Sequence, residues 1–474
     1  MMWRPQLDSN SDVPLYRQLY EQFAQAIKCG SLRNAEKLPP TRELAGQLGL
    51  NRTTVSAAYA LLEEQGLIRG EVGRGSFVCF DKAHEPVEPP ADGPISFASS
   101  RPAQNYFPVY EFQDTAREVI GGPDAPSILQ LGPPNGYPKL RHYLLEQAQA
   151  AGEAGPEDDV LITSGCQQAL DLLQRVFGGP GSVIAVEDPV YHGLKNAFER
   201  GGARLVGVTQ SASGIDIADL ERVLEREHPA LLLLTPNFQN PTGFTMDLNG
   251  RLAALELCRR YGTALVENDI YGDLRYRGAP EPTIKGLDPN VGTLLLRSFS
   301  KIAFPGLRVG WILGPRPILS RLAEAKQWCD LHSDQLSQAI VLRFAETGRL
   351  QQHLENVRRI GLERLDAVLK ACEKHLPEGS SFTRPEGGMS LWVRLPEGLD
   401  SEELLSRAQR EGVTYLPGRQ FAVSRPEPRG LRISFGGLSP DQIERGIAKL
   451  GEIFREEQTR KRRGYVFDNA PALV

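Results

Sequence analysis

From about residue 160 the chain alternates short, unbroken apolar runs with stretches of helical periodicity. The runs are Val160-Leu161-Ile162, Val183-Ile184-Ala185-Val186, Leu231 to Leu234, Ala264-Leu265-Val266, Leu294 to Leu296 and Val309-Gly310-Trp311-Ile312. A strand that is apolar on both sides must be covered on both sides. Strands of this kind between helices predict an α/β fold with a mostly parallel sheet. Ligands of such sheets bind beyond the carboxyl ends of the strands, so the residues just after each run carry the chemistry. Residues 335 to 373 read as helical. Met389 to Val393, Val413 to Leu416 and Leu431 to Phe435 read as three further short strands of a smaller α+β part.

Residues 14 to 80 carry a separate pattern. Leu15, Leu19, Phe23 and Ile27 recur every four residues, which is one helical face, and Gly30 follows as a stop. Pro39-Pro40 precede Thr41, which reads as the N-cap of a short helix from Arg42 to Leu48, ended by Gly49. Asn51 caps a second helix from Arg52 to about Gln65, closed by Gly66. Two helices split by a three-residue turn have helix-turn-helix spacing. Leu67-Ile68-Arg69 and Ser76-Phe77-Val78 read as strands flanking Gly73-Arg74-Gly75, a wing.

The start of the second helix carries Arg52, Thr53 and Thr54, positions that meet base edges and phosphates in a major groove. Arg42 and Arg74 can reach phosphate or the minor groove. A winged helix used for protein contacts is the alternative. Residues 1–80 hold nine Lys/Arg and eight Asp/Glu, a net of +1, a weak basic footprint for a DNA binder. The basic residues nonetheless cluster between Arg33 and Arg74. The stretch Lys37-Leu38-Pro39-Pro40-Thr41-Arg42-Glu43-Leu44-Ala45, then Asn51-Arg52-Thr53-Thr54-Val55, then Gly66-Leu67-Ile68 and Gly73 to Val78, resembles the GntR-type winged-helix domain. That resemblance implies double-stranded operator DNA as a partner. From Asp81 to about Pro94 the chain is rich in Pro, Glu and Ala without periodicity, the composition of a semi-rigid tether.

The strand ends supply the rest. Ser298-Phe299-Ser300-Lys301 and Pro305-Gly306-Leu307-Arg308 follow the Leu294–Leu296 run. A lysine near low-dielectric surroundings loses charge and becomes a nucleophile able to form a Schiff base. Two serines and an arginine beside it suit a phosphate, and the combination points to pyridoxal 5'-phosphate (PLP). A lysine snorkelling at a strand end is the plainer reading. Thr163-Ser164-Gly165-Cys166-Gln167 opens a helix whose free N–H groups can face a phosphate. Glu187-Asp188-Pro189-Val190-Tyr191 brings an aromatic side chain able to stack on a ring, or simply to line the core. Asn240-Pro241-Thr242-Gly243 alone is a turn.

In this order and spacing, residues 95 to 455 resemble fold-type-I PLP enzymes of the aminotransferase class. The resemblance implies an internal aldimine at Lys301. It places Ser164, Gly165, Cys166, Gln167, Ser298, Ser300 and Arg308 around the phosphate, Tyr191 on the pyridine, and Asn240 and Tyr271 at the ring oxygen. It gives Arg432 the carboxylate of an amino compound, a group that arginine grips bidentately. The family's ring-nitrogen aspartate is replaced by Asn268, in Glu267-Asn268-Asp269-Ile270-Tyr271. A neutral amide stabilises a pyridinium less than a carboxylate does. Asp269 should point away because side chains alternate along a strand, unless a loop distortion turns it inward; both are kept as candidate cofactor residues. A family tyrosine that reaches the partner subunit is matched by Leu131.

The bulk numbers narrow the class. The net charge of −5 gives no whole-molecule case for nucleic acid. The six scattered cysteines have no CxxC and no histidine at ligand spacing, so no metal site is expected and a reducing compartment is. No apolar run approaches the roughly 20 residues of a membrane span. The N-terminus lacks a signal-peptide core, so a cytoplasmic location is expected. The expected layout is a winged helix at 1–80, a linker at 81–94, an aminotransferase-like domain at 95–460 and a tail at 461–474. Within that domain the large part is about 130–330 and the small part about 95–130 and 331–460. The whole resembles MocR-type transcription regulators. This implies a homodimer that binds DNA and senses an amino compound or PLP. A working aminotransferase with an appended DNA module is the alternative, and Asn268 argues for slow or half transamination at most.

Overall fold

The computed structural model describes residues 5, 7–8, 13–28, 32, 36–65, 67–71, 74–79, 93–103, 106–211, 214–288 and 292–468. It divides into two compact units, Met1–Pro90 and Ala91–Val474. Gly30, Arg33, Gly66, Gly73, most of the expected tether and the end of the tail lie outside the described residues.

In the first unit, α1 (Leu15–Lys28) buries Leu19, Phe23 and Ile27. These side chains pack on Val55, Ala58, Tyr59 and Leu62 of α3 (Arg52–Glu64). In sequence α2 (Thr41–Leu48) lies between them. Thr41 is not the N-cap that its position suggested. Pro40 holds that place with φ −55° and no side-chain cap, and its carbonyl accepts from Leu44 N at 2.9 Å. Gly49 ends α2 at φ 67° in the left-handed region, its N–H donating to Ala45 O. Asn51 does cap α3, its side chain accepting from Thr53 N at 3.2 Å. The antiparallel pair β1 (Ile68–Glu71) and β2 (Gly75–Val78), with Ile68 opposite Val78, forms the wing.

The second unit opens with β3 (Ile95–Ser96). Its main sheet is built from β4 (Asp158–Thr163), β5 (Val183–Asp188), β6 (Arg204–Ser211), β7 (Gly214–Ile215), β8 (Leu231–Leu234), β9 (Ala264–Asn268), β10 (Leu294–Ser298) and β11 (Gly310–Pro315). Their spatial order is β4-β11-β10-β9-β8-β5-β6-β7. The stretch from β10 to β6 is parallel, while β11 runs antiparallel to both β10 and β4. The six apolar runs all lie in this sheet. Strand β6 was not among them because its burial is broken and both of its ends are exposed.

The smaller sheet has the order β12-β13-β16-β15. It comprises β12 (Ser381–Phe382), β13 (Ser390–Arg394), β15 (Leu416–Pro417) and β16 (Gly430–Ser434). The run Val413 to Leu416 is not one strand. It splits into β14 (Val413–Thr414), paired with β3, and β15, in different sheets. Between them Tyr415 turns inward and donates its hydroxyl to Ser401 O at 2.6 Å. The helical stretch 335–373 breaks at Gly348, φ 76°, into Gln335–Glu346 and Arg349–His375. Helix Pro440–Asp468 runs past residue 460, where the tail was expected to begin.

At the start of β4 sits a buried ion pair. Lys285 Nζ lies 2.8 Å from Asp158, with the two side chains 0% and 3% exposed. Removing one partner leaves a charge buried without compensation. Asp158→Ala should therefore destabilise the second unit by about 3–5 kcal/mol in chemical denaturation. The double change Asp158→Ala with Lys285→Met should cost less than Asp158→Ala alone, and an equal or larger cost would contradict the assignment.

Candidate functional site

A cavity of about 390 Å³ lies beyond the carboxyl ends of β4, β5, β8, β9 and β10. Lys301 reaches it from the turn after β10, and its Nζ donates to Ser100 O at 2.7 Å. The same nitrogen lies 5.7 Å from the centre of the Tyr271 ring. Burial pushes the Lys301 amine down to about 8, with the Arg432 charge next and Arg308 and Arg101 adding to it.

One end of the cavity is a cradle of donors. Arg308, at φ 55°, points Nη1 to Ser300 Oγ at 3.1 Å and Nη2 to Ser164 O at 3.2 Å. Ser298 Oγ is 3.0 Å from Ser300 Oγ and bonds Val309 O at 3.1 Å. Helix Cys166–Phe177 begins here, and its first N–H groups have no intrahelical acceptor. Gly165 sits just before it at φ 75°, and a Cβ there would fall 2.3 Å from Arg308 Nη2. Cys166 and Gln167 line the cavity, but Ser164 and Gly165 do not. The Ser164 hydroxyl turns to Ser333 Oγ at 3.3 Å, so Ser164 supports the cradle through its carbonyl. Burial pushes the Cys166 thiol up to about 12, which keeps it neutral.

At the other end, Asn240 links Tyr271 to Arg432. Its Nδ2 donates to the Tyr271 hydroxyl at 3.4 Å, and its Oδ1 accepts from Arg432 Nη1 at 2.9 Å. Arg432 Nη2 donates to Ala98 O at 2.5 Å, while buried Nε has no partner. Tyr191 also lines the cavity. Asn268 donates from Nδ2 to Thr235 Oγ1 at 3.4 Å, and its buried Oδ1 has no partner.

Asp269 does not belong to this site, and its candidacy is corrected. Strand alternation turns it to the opposite side, where Asn237 Nδ2 donates to it at 2.7 Å. Arg297 adds bonds from Nε at 3.1 Å and Nη2 at 3.0 Å. Sequence reasoning missed Ala98 to Pro102, Thr235 and His192. Burial and then the Arg432 charge push the His192 imidazole below its usual range. Its position next to Tyr191 was the available signal; Ala98, 334 residues from Arg432, gave none. The position matched to a partner-reaching tyrosine, Leu131, is 73% exposed.

The residues present fit PLP. A phosphate suits the Ser298, Ser300, Arg308 and helix N-terminal donors. Two buried polar atoms without partners, Asn268 Oδ1 and Arg432 Nε, are left to a ring and to a ligand's acidic group. In the first unit Arg42, Arg52, Thr53 and Arg74 are exposed and Thr54 is partly so.

The sheet, its covering helices and this cavity define the fold-type-I transferase class. The family model for class I and II aminotransferases matches residues 105–450, and that for gntR-family bacterial regulatory proteins matches 15–78. The chain belongs to the class I and II aminotransferase family, with a gntR-type domain ahead of it in the MocR-type arrangement. That family is PLP-dependent. Aromatic-amino-acid aminotransferase 1 of Thermococcus litoralis is 37% identical, covering 77% of this chain and 88% of its own. The "Probable rhizopine catabolism regulatory protein MocR" of Rhizobium meliloti is 29% identical over 94% of this chain and 95% of its own. Among solved structures, Thermus thermophilus LysN, an α-aminoadipate aminotransferase complexed with N-(5'-phosphopyridoxyl)-L-leucine, is 36% identical with a TM-score of 0.73. It covers 77% of this chain and 93% of its own. Among the described residues no helix is long and apolar enough to cross a membrane.

The buried amine makes a pH prediction. The neutral, reactive fraction of Lys301 rises with pH through about 8, against 10.5 for an ordinary lysine. Labelling of Lys301 by an amine-reactive aldehyde in cofactor-free protein should level off just above that value, read by peptide mapping. Arg432→Met should move the midpoint up, because a cation that disfavours protonation is gone.

Proposed function

We propose that the chain is a PLP-dependent, DNA-binding transcription regulator whose second unit senses an amino compound. One observation carries the reading: a gntR-type domain and an aminotransferase-type cavity share a chain, and that cavity presents Asn268 where a carboxylate would drive turnover. When bound, PLP supplies an electrophilic carbon that captures amines. Lys301 Nζ, largely neutral above about pH 8, is the group that would hold it. Ser298, Ser300 and Arg308 would hold its phosphate; Tyr191, Asn240 and Tyr271 would orient its ring. Arg432 would take the ligand's carboxylate. Its guanidinium is already aimed by Asn240 and Ala98, so little ordering remains to be done.

The amide at Asn268 lowers proton-abstraction power and favours capture over turnover. A captured ligand then biases the second unit toward one of its conformations, and operator binding changes if the two conformations differ in DNA affinity. In the first unit Arg52, Thr53 and Thr54 would read bases while Arg42 and Arg74 would contact phosphates. Exposed Ile120, Leu129, Leu131, Trp328 and Leu331 support a homodimer, the usual state of this fold. A functional aminotransferase with an appended DNA-binding module is the second reading, favoured by the 37% identity to a protein named aromatic-amino-acid aminotransferase 1.

Purified protein should show a visible absorption band with PLP, and Lys301→Ala should lose it. Matching spectra for the two proteins would refute the cofactor site. In a gel shift on DNA upstream of the protein's own gene, Arg52→Ala should weaken specific binding by about 1–3 kcal/mol. Absence of sequence-specific binding by the wild type at moderate salt would refute the regulator reading.

A further inference from the structure

Glu187 is buried close behind the cavity, and the function proposed above gives it no role. It stands near the end of β5, is 4% exposed and does not line the cavity. Strands β5, β8 and β9 are neighbours in the sheet. Glu187, Thr235 just after β8 and Asn268 at the end of β9 therefore fall side by side. Thr235 and Asn268 do line the cavity, and each is 5% exposed.

Among the described residues the hydrogen bonds to Glu187 come from donors. Oε2 accepts from Thr235 N at 3.1 Å and from Gln239 Nε2 at 3.3 Å. The Gln239 amide cannot be turned round, because its Oε1 holds the N–H of Thr242 at 3.0 Å and a backbone N–H only donates. The Thr235 hydroxyl also bonds the Glu187 carboxyl. Burial raises that carboxyl to about 8, and the bonds from Gln239 and Thr235 act against the rise. A cation on the far side of Thr235 would favour the charged form further.

A threonine hydroxyl has one proton. Given to Glu187, it leaves lone pairs on Oγ1, and one of them accepts from Asn268 Nδ2 at 3.4 Å. The nitrogen end of the Asn268 amide is thereby committed. The oxygen end, buried Oδ1, is left without a partner. A lone acceptor suits a ring nitrogen that carries a proton, whereas a bare nitrogen would bring a second acceptor to it. We infer that Glu187 is a positioning residue for the cofactor ring: through the Thr235 hydroxyl it holds the Asn268 amide with Oδ1 as the free acceptor, and it sets a buried negative charge behind a protonated ring nitrogen. This rests on the PLP reading above and deepens it. A carboxylate stands two hydrogen bonds behind the Asn268 amide, on the opposite side from Asp269.

The test strips the full chain of cofactor and titrates it with PLP and with the carbocyclic analogue, in which a C–H replaces the ring nitrogen. It is run at about pH 9, where Glu187 is charged. Wild type should bind PLP about tenfold or more tightly than the analogue, the worth of a hydrogen bond to a charged group. Glu187→Gln and Thr235→Val should each cut that ratio to about threefold or less, and Thr235→Ser should keep it. The ratio is taken within each variant, so loosened packing, which weakens both molecules alike, does not move it. If Glu187→Gln does not fold, the two Thr235 variants decide. Equal binding of the two molecules by wild type would overturn the inference. So would a ratio that survives either Glu187→Gln or Thr235→Val, or one lost in Thr235→Ser as fully as in Thr235→Val. Equal binding leaves the cofactor reading standing, while a wild type that binds neither molecule defeats both.

Discussion

Arg297 holds Asp269 with two nitrogens and bonds Glu153 at 2.6 Å, and much of the cavity's character follows from that clamp. Side chains alternate along a strand, so the residue beside Asp269 has to face the other way. Here that residue is an asparagine. A carboxylate is present within one position of the place where such a site would use it, yet it is neutralised on the far side of the sheet. Turning Asp269 inward would break three hydrogen bonds and strand Arg297 with Glu153 alone.

Among the described residues the cavity is lined by cations and by no carboxylate. Arg308 and the helix at Cys166 favour an anion at one end; Arg432 favours another. Burial first, and the Arg432 charge next, lower the Lys301 amine to about 8, so its neutral fraction is far larger near neutral pH than that of an ordinary lysine.

The central sheet was readable because its strands are buried on both faces and so appear as unbroken apolar runs. Strand β6 escaped because only Val208 along it is fully buried. Lys301, Arg308, Tyr191 and Asn240 were legible because each follows such a run. Alternation favoured Asn268 but left Asp269 a candidate, because a loop distortion could have turned it inward; the Arg297 bonds hold it on the other side. Ser164 was read as part of a phosphate site, but a hydroxyl's direction depends on a distant neighbour, Ser333. The roof of the cavity was opaque for the same reason. Ala98 to Pro102 form no regular element, and what fixes them is the β3–β14 pairing and Arg432, both set by residues more than three hundred positions away.

The bond from Lys301 Nζ to Ser100 O has a consequence for how the molecule is wired. An occupant that engages the amine takes away the donor on which that carbonyl rests, leaving it to water or to the occupant. Residue 100 lies a few positions after β3, the first described strand beyond the segment joining the two units. The backbone that faces the Lys301 amine is thus, in covalent order, close to the segment that leads back to the first unit.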